Sequence, residues 1–143
     1  MSETNVQATL DRVHAEAKAR AKPETVSYGT LAPGNYHRQG DVYFVRLSRL
    51  PQGACGTQAP AGLQIAPGDG QGSRHCLKPE HAPHVEWYRR AEPTPLDGPV
   101  LKVAKGKTAE FTHPEHGHVV LPAGTYGIHY QRQYAEELRR VQD

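Results

Sequence analysis

The sequence is poor in the side chains that fill large cores. It has two phenylalanines, one tryptophan and one methionine among 143 residues, and apolar residues of every kind reach only 36%. A core built from these is thin, and a partner subunit is one way to complete it. Cysteine is as scarce. Cys55 and Cys76 are too few for a disulfide framework and form no CxxC pair of the zinc-finger kind. Reduced thiols in a cytosolic protein are the expectation, with a single bridge between the two left open. Charge of one sign is missing too. A formal net charge of +2 implies by itself neither a nucleic-acid nor a membrane partner. No stretch approaches the roughly 20 apolar residues of a membrane span. The opening MSETNVQATLDRVHAEAKARA lacks the apolar centre of a signal peptide. The expected location is the cytoplasm, or a particle assembled there, with no membrane partner.

Turn formers are abundant, with 14 glycines and 12 prolines. Such a chain builds short strands joined by loops. A helix is predicted over residues 4–21. Thr4 and Gln7 fit a capping box, Val6, Leu10, Val13 and Ala17 form a narrow stripe, and Pro23 ends it. That stripe is the expected surface for docking or for a homo-oligomer. Residues 1–22 are therefore read as an arm and 23–143 as one β-rich domain.

Strands are predicted at 41–48, where Tyr43, Val45 and Leu47 alternate with Phe44, Arg46 and Ser48, and at 63–65 and 85–88. Further strands at 100–104 and 108–112 flank Lys105-Gly106-Lys107, read as a hairpin turn. The last two, 118–121 and 125–131, flank the turn Pro122-Ala123-Gly124, with Tyr126, Ile128 and Tyr130 on one face and His129 on the other. The fold class is mainly β, a small barrel or sandwich of about seven short strands. The run GDGQGS at 68–73 lacks the Gly-Lys-Ser/Thr ending of a phosphate loop.

Histidine carries the chemical signal. Nine are present, and all but His14 and His37, both expected to be solvated, lie between His75 and His129. The run His113-Pro114-Glu115-His116-Gly117-His118 puts three imidazoles and a carboxylate at one turn. Imidazole is the commonest protein ligand for transition metals, and a firm site needs three or four ligands. If Gly117 is extended, His116 and His118 share a face. Candidate ligands are His75, His113, His116, His118 and His129, with His81 and His84 in reserve. Cys76 beside His75 is no catalytic dyad, because strand neighbours point apart.

Five segments together resemble a family of short uncharacterised bacterial and phage proteins. They are Gln39-Gly40-Asp41-Val42, Ser73-Arg74-His75, His113-Pro114-Glu115-His116, Leu121-Pro122-Ala123-Gly124-Thr125-Tyr126 and Gln131-Arg132-Gln133-Tyr134. The likeness covers about 39–141. Its relatives carry two histidines one residue apart in the second segment, whereas Leu77 stands at the second position here. If a metal site runs through that family, this chain has lost one ligand. The resemblance names no reaction.

Two principal functions are expected, and a phage-encoded assembly protein is a third. The first is a divalent transition metal, zinc foremost, held by the histidines, with Glu115 as general base on a bound water for metal-assisted hydrolysis. Glu110 and Glu86 are its fallback carboxylates. The second is an accessory domain that binds RNA or single-stranded DNA through Arg132, Tyr134, Arg139 and Arg140, with Arg89 and Arg90 beside Trp87 and Tyr88 as further support.

Overall fold

The computed structural model describes residues 25–27, 29–67, 70 and 73–132. The predicted N-terminal helix lies outside the described residues. The strands are β1 (Thr25–Ser27), β2 (Tyr36–Gln39), β3 (Val42–Leu47), β4 (Cys55–Gln58), β5 (Cys76–Leu77), β6 (Val85–Arg89), β7 (Asp97–Thr112) and β8 (His118–Tyr130), with a 3₁₀ segment at Pro79–His84 before β6. Together they form one sheet in the order β2-β3-β8-β7-β6-β4, with β1 added beside β8 and β5 beside β7. The chain is mainly β, as its composition requires. It is not a closed barrel, because the edge strands β2 and β4 do not pair with each other.

The two predicted hairpins are absent. Strand β7 runs through Lys105-Gly106-Lys107 for 16 residues, and β8 runs through Pro122-Ala123-Gly124 for 13. The glycines read as turns instead absorb an irregularity. Val103 faces Gly124 and Thr108 faces Pro122, so β7 bulges outward between those pairs. Gly106 has φ +76 and Gly124 φ +151, conformations glycine reaches without a Cβ penalty. A Cβ on Gly124 would also overlap the Arg46 guanidinium. Pro122 has no N–H to offer a ladder, which suits a bulge.

The bulge folds the sheet over. Phe44 pairs across from Ile128, and Phe111 across from Val119. Nine residues of straight strand separate Ile128 from Val119, roughly 30 Å. Yet the Phe44 and Phe111 rings are only 5.1 Å apart. One sheet bent about its own middle therefore supplies both walls of the core, which is why sandwich-like patterning appears without a second sheet. The bulge also changes the burial phase. Val119 and Leu121 are buried before it, and Tyr126, Ile128 and Tyr130 after it. Trp87 and Leu63 pack at the margin of this core, and the Tyr130 hydroxyl donates to the Ile65 carbonyl at 2.8 Å. Both cysteines are free. Among the described residues no helix is long and apolar enough to cross a membrane.

Phe111 joins the two arms of the fold and is wholly buried. Its replacement by alanine is expected to cost about 3–5 kcal/mol, read as a fall in the urea midpoint.

Candidate functional site

Two of the five predicted ligands part company. His118 begins β8 on the side away from the core, with Nδ1 4.0 Å from Glu110 Oε2, the same oxygen that Lys78 contacts at 3.3 Å. Its expected partnership with His116 depended on an extended Gly117, but Gly117 has φ +81, which resets the alternation. His129 also faces outward, near the far end of β8, with Nδ1 3.0 Å from Asp97. His81 is taken up by structure, its Nδ1 accepting the Glu110 N–H at 2.9 Å. His84 lies beside it in the 3₁₀ segment.

The remaining three converge. His75 and His113 have ring centroids 4.3 Å apart, His113 and His116 4.4 Å, and His75 and His116 6.4 Å. His75 and His113 are buried, and His116 is exposed at the surface of the cluster. Strand phase explains the burial. His113 continues the inward series of Ala109 and Phe111 at the end of β7, and His75 precedes β5 on the side of the buried Leu77. Thus the position where relatives were expected to carry a second histidine lies in the apolar core. Cys76 faces the other way, and burial pushes its thiol up from the ordinary value.

Gln39, at the end of β2, organises the cluster. Its side-chain nitrogen donates to the carbonyls of Phe111 at 2.9 Å and Gly117 at 2.6 Å. That fixes its oxygen toward His75 Nδ1, 2.8 Å away. Nδ1 of His75 therefore carries a proton, and the neutral form of that ring has its lone pair at Nε2. His113 has the opposite tautomer. Its Nδ1 accepts the backbone N–H groups of Glu115 and His116, each at 3.0 Å, so its proton sits on Nε2. Gly40 completes the surround. With φ +57 it opens the turn into β3, and a Cβ there would overlap the His116 ring. Sequence inspection missed Gln39 as a functional residue. Its only signal was its place at the head of Gln39-Gly40-Asp41-Val42. The first three resemblance segments, far apart in the chain, meet here.

Rings sharing one tetrahedral ion at about 2.0–2.1 Å have centroids roughly 5 Å apart. The observed spacings fall on both sides of that. Among the described residues, no three His, Cys, Asp or Glu side chains are disposed to hold an ion together. Glu115 is exposed on the turn, with only its backbone N–H engaged in the cluster. Arg132 is exposed just beyond β8, while Tyr134, Arg139 and Arg140 lie outside the described residues.

A second polar group occupies the outward face. His129 lies between Asp97 and Arg90, whose Nη2 is 3.3 Å from Nε2. Burial and then the Arg90 charge hold His129 below its ordinary value of 6.5, against the upward pull of Asp97. Burial pushes the Asp97 carboxyl up, but hydrogen bonds from Thr94 and the charges of Arg90 and His129 outweigh it and leave it below 3.8. His37, expected to be solvated, is half-buried, and that burial holds it below 6.5 against a hydrogen bond to Gly29.

Residues 38–131 match a domain of unknown function, DUF8820. The chain belongs to that family. The match takes in every segment of the His75–His113–His116 cluster and, within the DUF8820 domain, ends just after β8. No curated protein matches the chain, and no solved structure matches it.

Gln39→Leu keeps the bulk but strips partners from two buried carbonyls and from the His75 N–H. At about 1–3 kcal/mol for each such group, the expected loss is at least about 3 kcal/mol by denaturant titration. Acid acts through His37 and His129. Because their folded values lie below 6.5, the unfolded chain binds protons first, and stability present above that value is lost as pH falls through it. The melting temperature is expected to drop between about pH 7 and pH 5, and His37→Gln with His129→Gln to flatten that drop.

Proposed function

We propose that this DUF8820 chain is a small binding domain whose His75 and His116 rings take one divalent transition metal, zinc foremost. The observation that supports this is the hydrogen bond from His75 to Gln39. Metal-ligating imidazoles characteristically donate their second ring N–H to an oxygen, which fixes the tautomer and raises the basicity of the ligating nitrogen. Here that bond turns the His75 lone pair away from Gln39. His116, the exposed member, is the ring with room to adjust around an ion. His113 does not ligate in this reading.

Two imidazoles leave positions for solvent or a small anionic ligand, so binding is expected to be weaker than at a four-ligand structural site. The reading stops at binding. Glu115, the sequence candidate for general base, stands on an exposed turn with nothing described that holds its carboxylate over the cluster.

Zinc added to protein purified without a histidine tag is expected to raise the melting temperature, with about 2.7 kcal/mol of stabilisation at a hundredfold excess over Kd. His116→Ala removes an exposed ring, so the metal-free protein should keep its stability to within about 0.5 kcal/mol and lose the response to zinc. No response in the unmodified protein overturns the reading, as does an equal response in His116→Ala.

A further inference from the structure

The outward face of the sheet arm built from β2, β3, β8, β7 and β6 has a composition unlike that of a merely solvated surface. Residues paired across neighbouring strands share a face, so the register specifies which side chains lie in line. One row runs Arg38, Tyr43, His129, Asp97. The next runs Tyr36, Val45, Gly127, Val100, Tyr88 and ends at Gly56 on β4.

The side chains in these rows are arranged as ring platforms beside cations. Tyr36 is 57% exposed, the most exposed large hydrophobic residue among those described. It packs edge-on against Tyr43 with centroids 5.3 Å apart, and Arg38 lies over the Tyr43 ring at 5.5 Å. At the opposite end, the Tyr88 ring lies across Gly56, where a Cβ would overlap it, and its hydroxyl donates to Glu86. Between the two ends the row is covered, with Val100 wholly buried and Gly127 buried beside it. A Cβ there would meet Arg90 Nη2, Leu47 and His129 Nε2, so the Arg90 guanidinium lies over the middle of the face. Lys102, exposed, stands in the following row beside Glu86. Of the two acids on this face, Asp97 is engaged by Thr94 and His129, and Glu86 accepts from Tyr88.

The geometry points to a binding platform for single-stranded nucleic acid on this face, with Tyr36, Tyr43 and Tyr88 stacking bases and Arg38, Arg90 and Lys102 meeting phosphates. Bases need π faces that are open on one side, and the backbone needs cations beside them. Four strand spacings, roughly 19 Å, separate the Tyr36 end from the Tyr88 end, a span suited to a few nucleotides. Duplex is a poor occupant. Stacking on a flat sheet needs bases that are already unpaired. The platform uses neither the His75–His116 pair nor the C-terminal Arg139 and Arg140, so it stands independently of the metal reading.

Fluorescence anisotropy with labelled oligo-dT and oligo-U of about 15 nucleotides, at about 50 mM salt, tests it. Binding is expected for both single strands, weaker for a duplex of equal length, and declining with salt. Tyr36→Ala is expected to weaken affinity at least about fivefold, the lower end for one lost stacking contact. Arg38→Gln should weaken it too and make the salt dependence shallower. Both side chains are exposed, so an unchanged melting temperature separates lost binding from lost fold. No binding overturns the proposal. So does binding that prefers duplex, or binding that both substitutions leave intact, since that outcome assigns any affinity to general charge. Capture of a peptide or an anionic vesicle by the same face, with no oligonucleotide bound, also overturns it.

Discussion

Val103 pairs with Gly124 and Thr108 with Pro122, so five steps along β7 correspond to two along β8. This mismatch governs the rest of the molecule. It bends the two longest strands back on themselves, and the bend lets Phe44 from one arm touch Phe111 from the other. Without it, a sheet with so few large apolar residues would have one face against nothing. A two-layered core is reached here with a single layer of strands, which suits a chain with two phenylalanines and one tryptophan. The same mismatch shifts the burial phase of β8, and so decides that His129 faces outward beside Asp97 and Arg90.

At the other end of the fold, polarity inside the core is managed by complementarity. Gln39 joins the end of β2 to the carbonyls of Phe111 and Gly117, and so ties the first hairpin to the β7–β8 connection. An amide does this well because it donates twice and accepts once in one plane. The neighbouring imidazoles take opposite tautomers, His75 with its proton on Nδ1 and His113 with its proton on Nε2. His113 serves the turn that follows it by accepting two backbone N–H groups. Architecture and candidate chemistry therefore share the same residues.

Period-two alternation made parts of this legible. It gave β3, the core of β6, and the split of Tyr126, Ile128 and Tyr130 from His129. Spacing in the sequence puts His113 and His116 at one turn, and residue type together with the resemblance makes His75 a candidate partner. What escaped did so for physical reasons. Glycine at positive φ serves a bulge and a hairpin equally, so Lys105-Gly106-Lys107 and Pro122-Ala123-Gly124 were read as turns. Gly117 reset the side-chain alternation, so His118 left the cluster that spacing had assigned it to. The exposed strand β4 has no periodic apolar residues to reveal it. Gln39 carries no ionisable group, and its role appears only when three distant carbonyl and imidazole partners are brought around it. The outward-facing tyrosines are spread over β2, β3 and β6, and only strand register puts them together.

An open sheet leaves two rims. Among the described residues, one side of each of β2 and β4 has no neighbouring strand, and such rims are templates on which foreign chains polymerise. Both rims here are four residues long, below the length that makes a persuasive template. β2 carries Arg38, whose Nε donates to the Gly40 carbonyl, and β4 carries Gly56, which weakens extended pairing. Brevity and charge are the features that blunt such rims in an open sheet, where a closed cylinder removes the rims altogether.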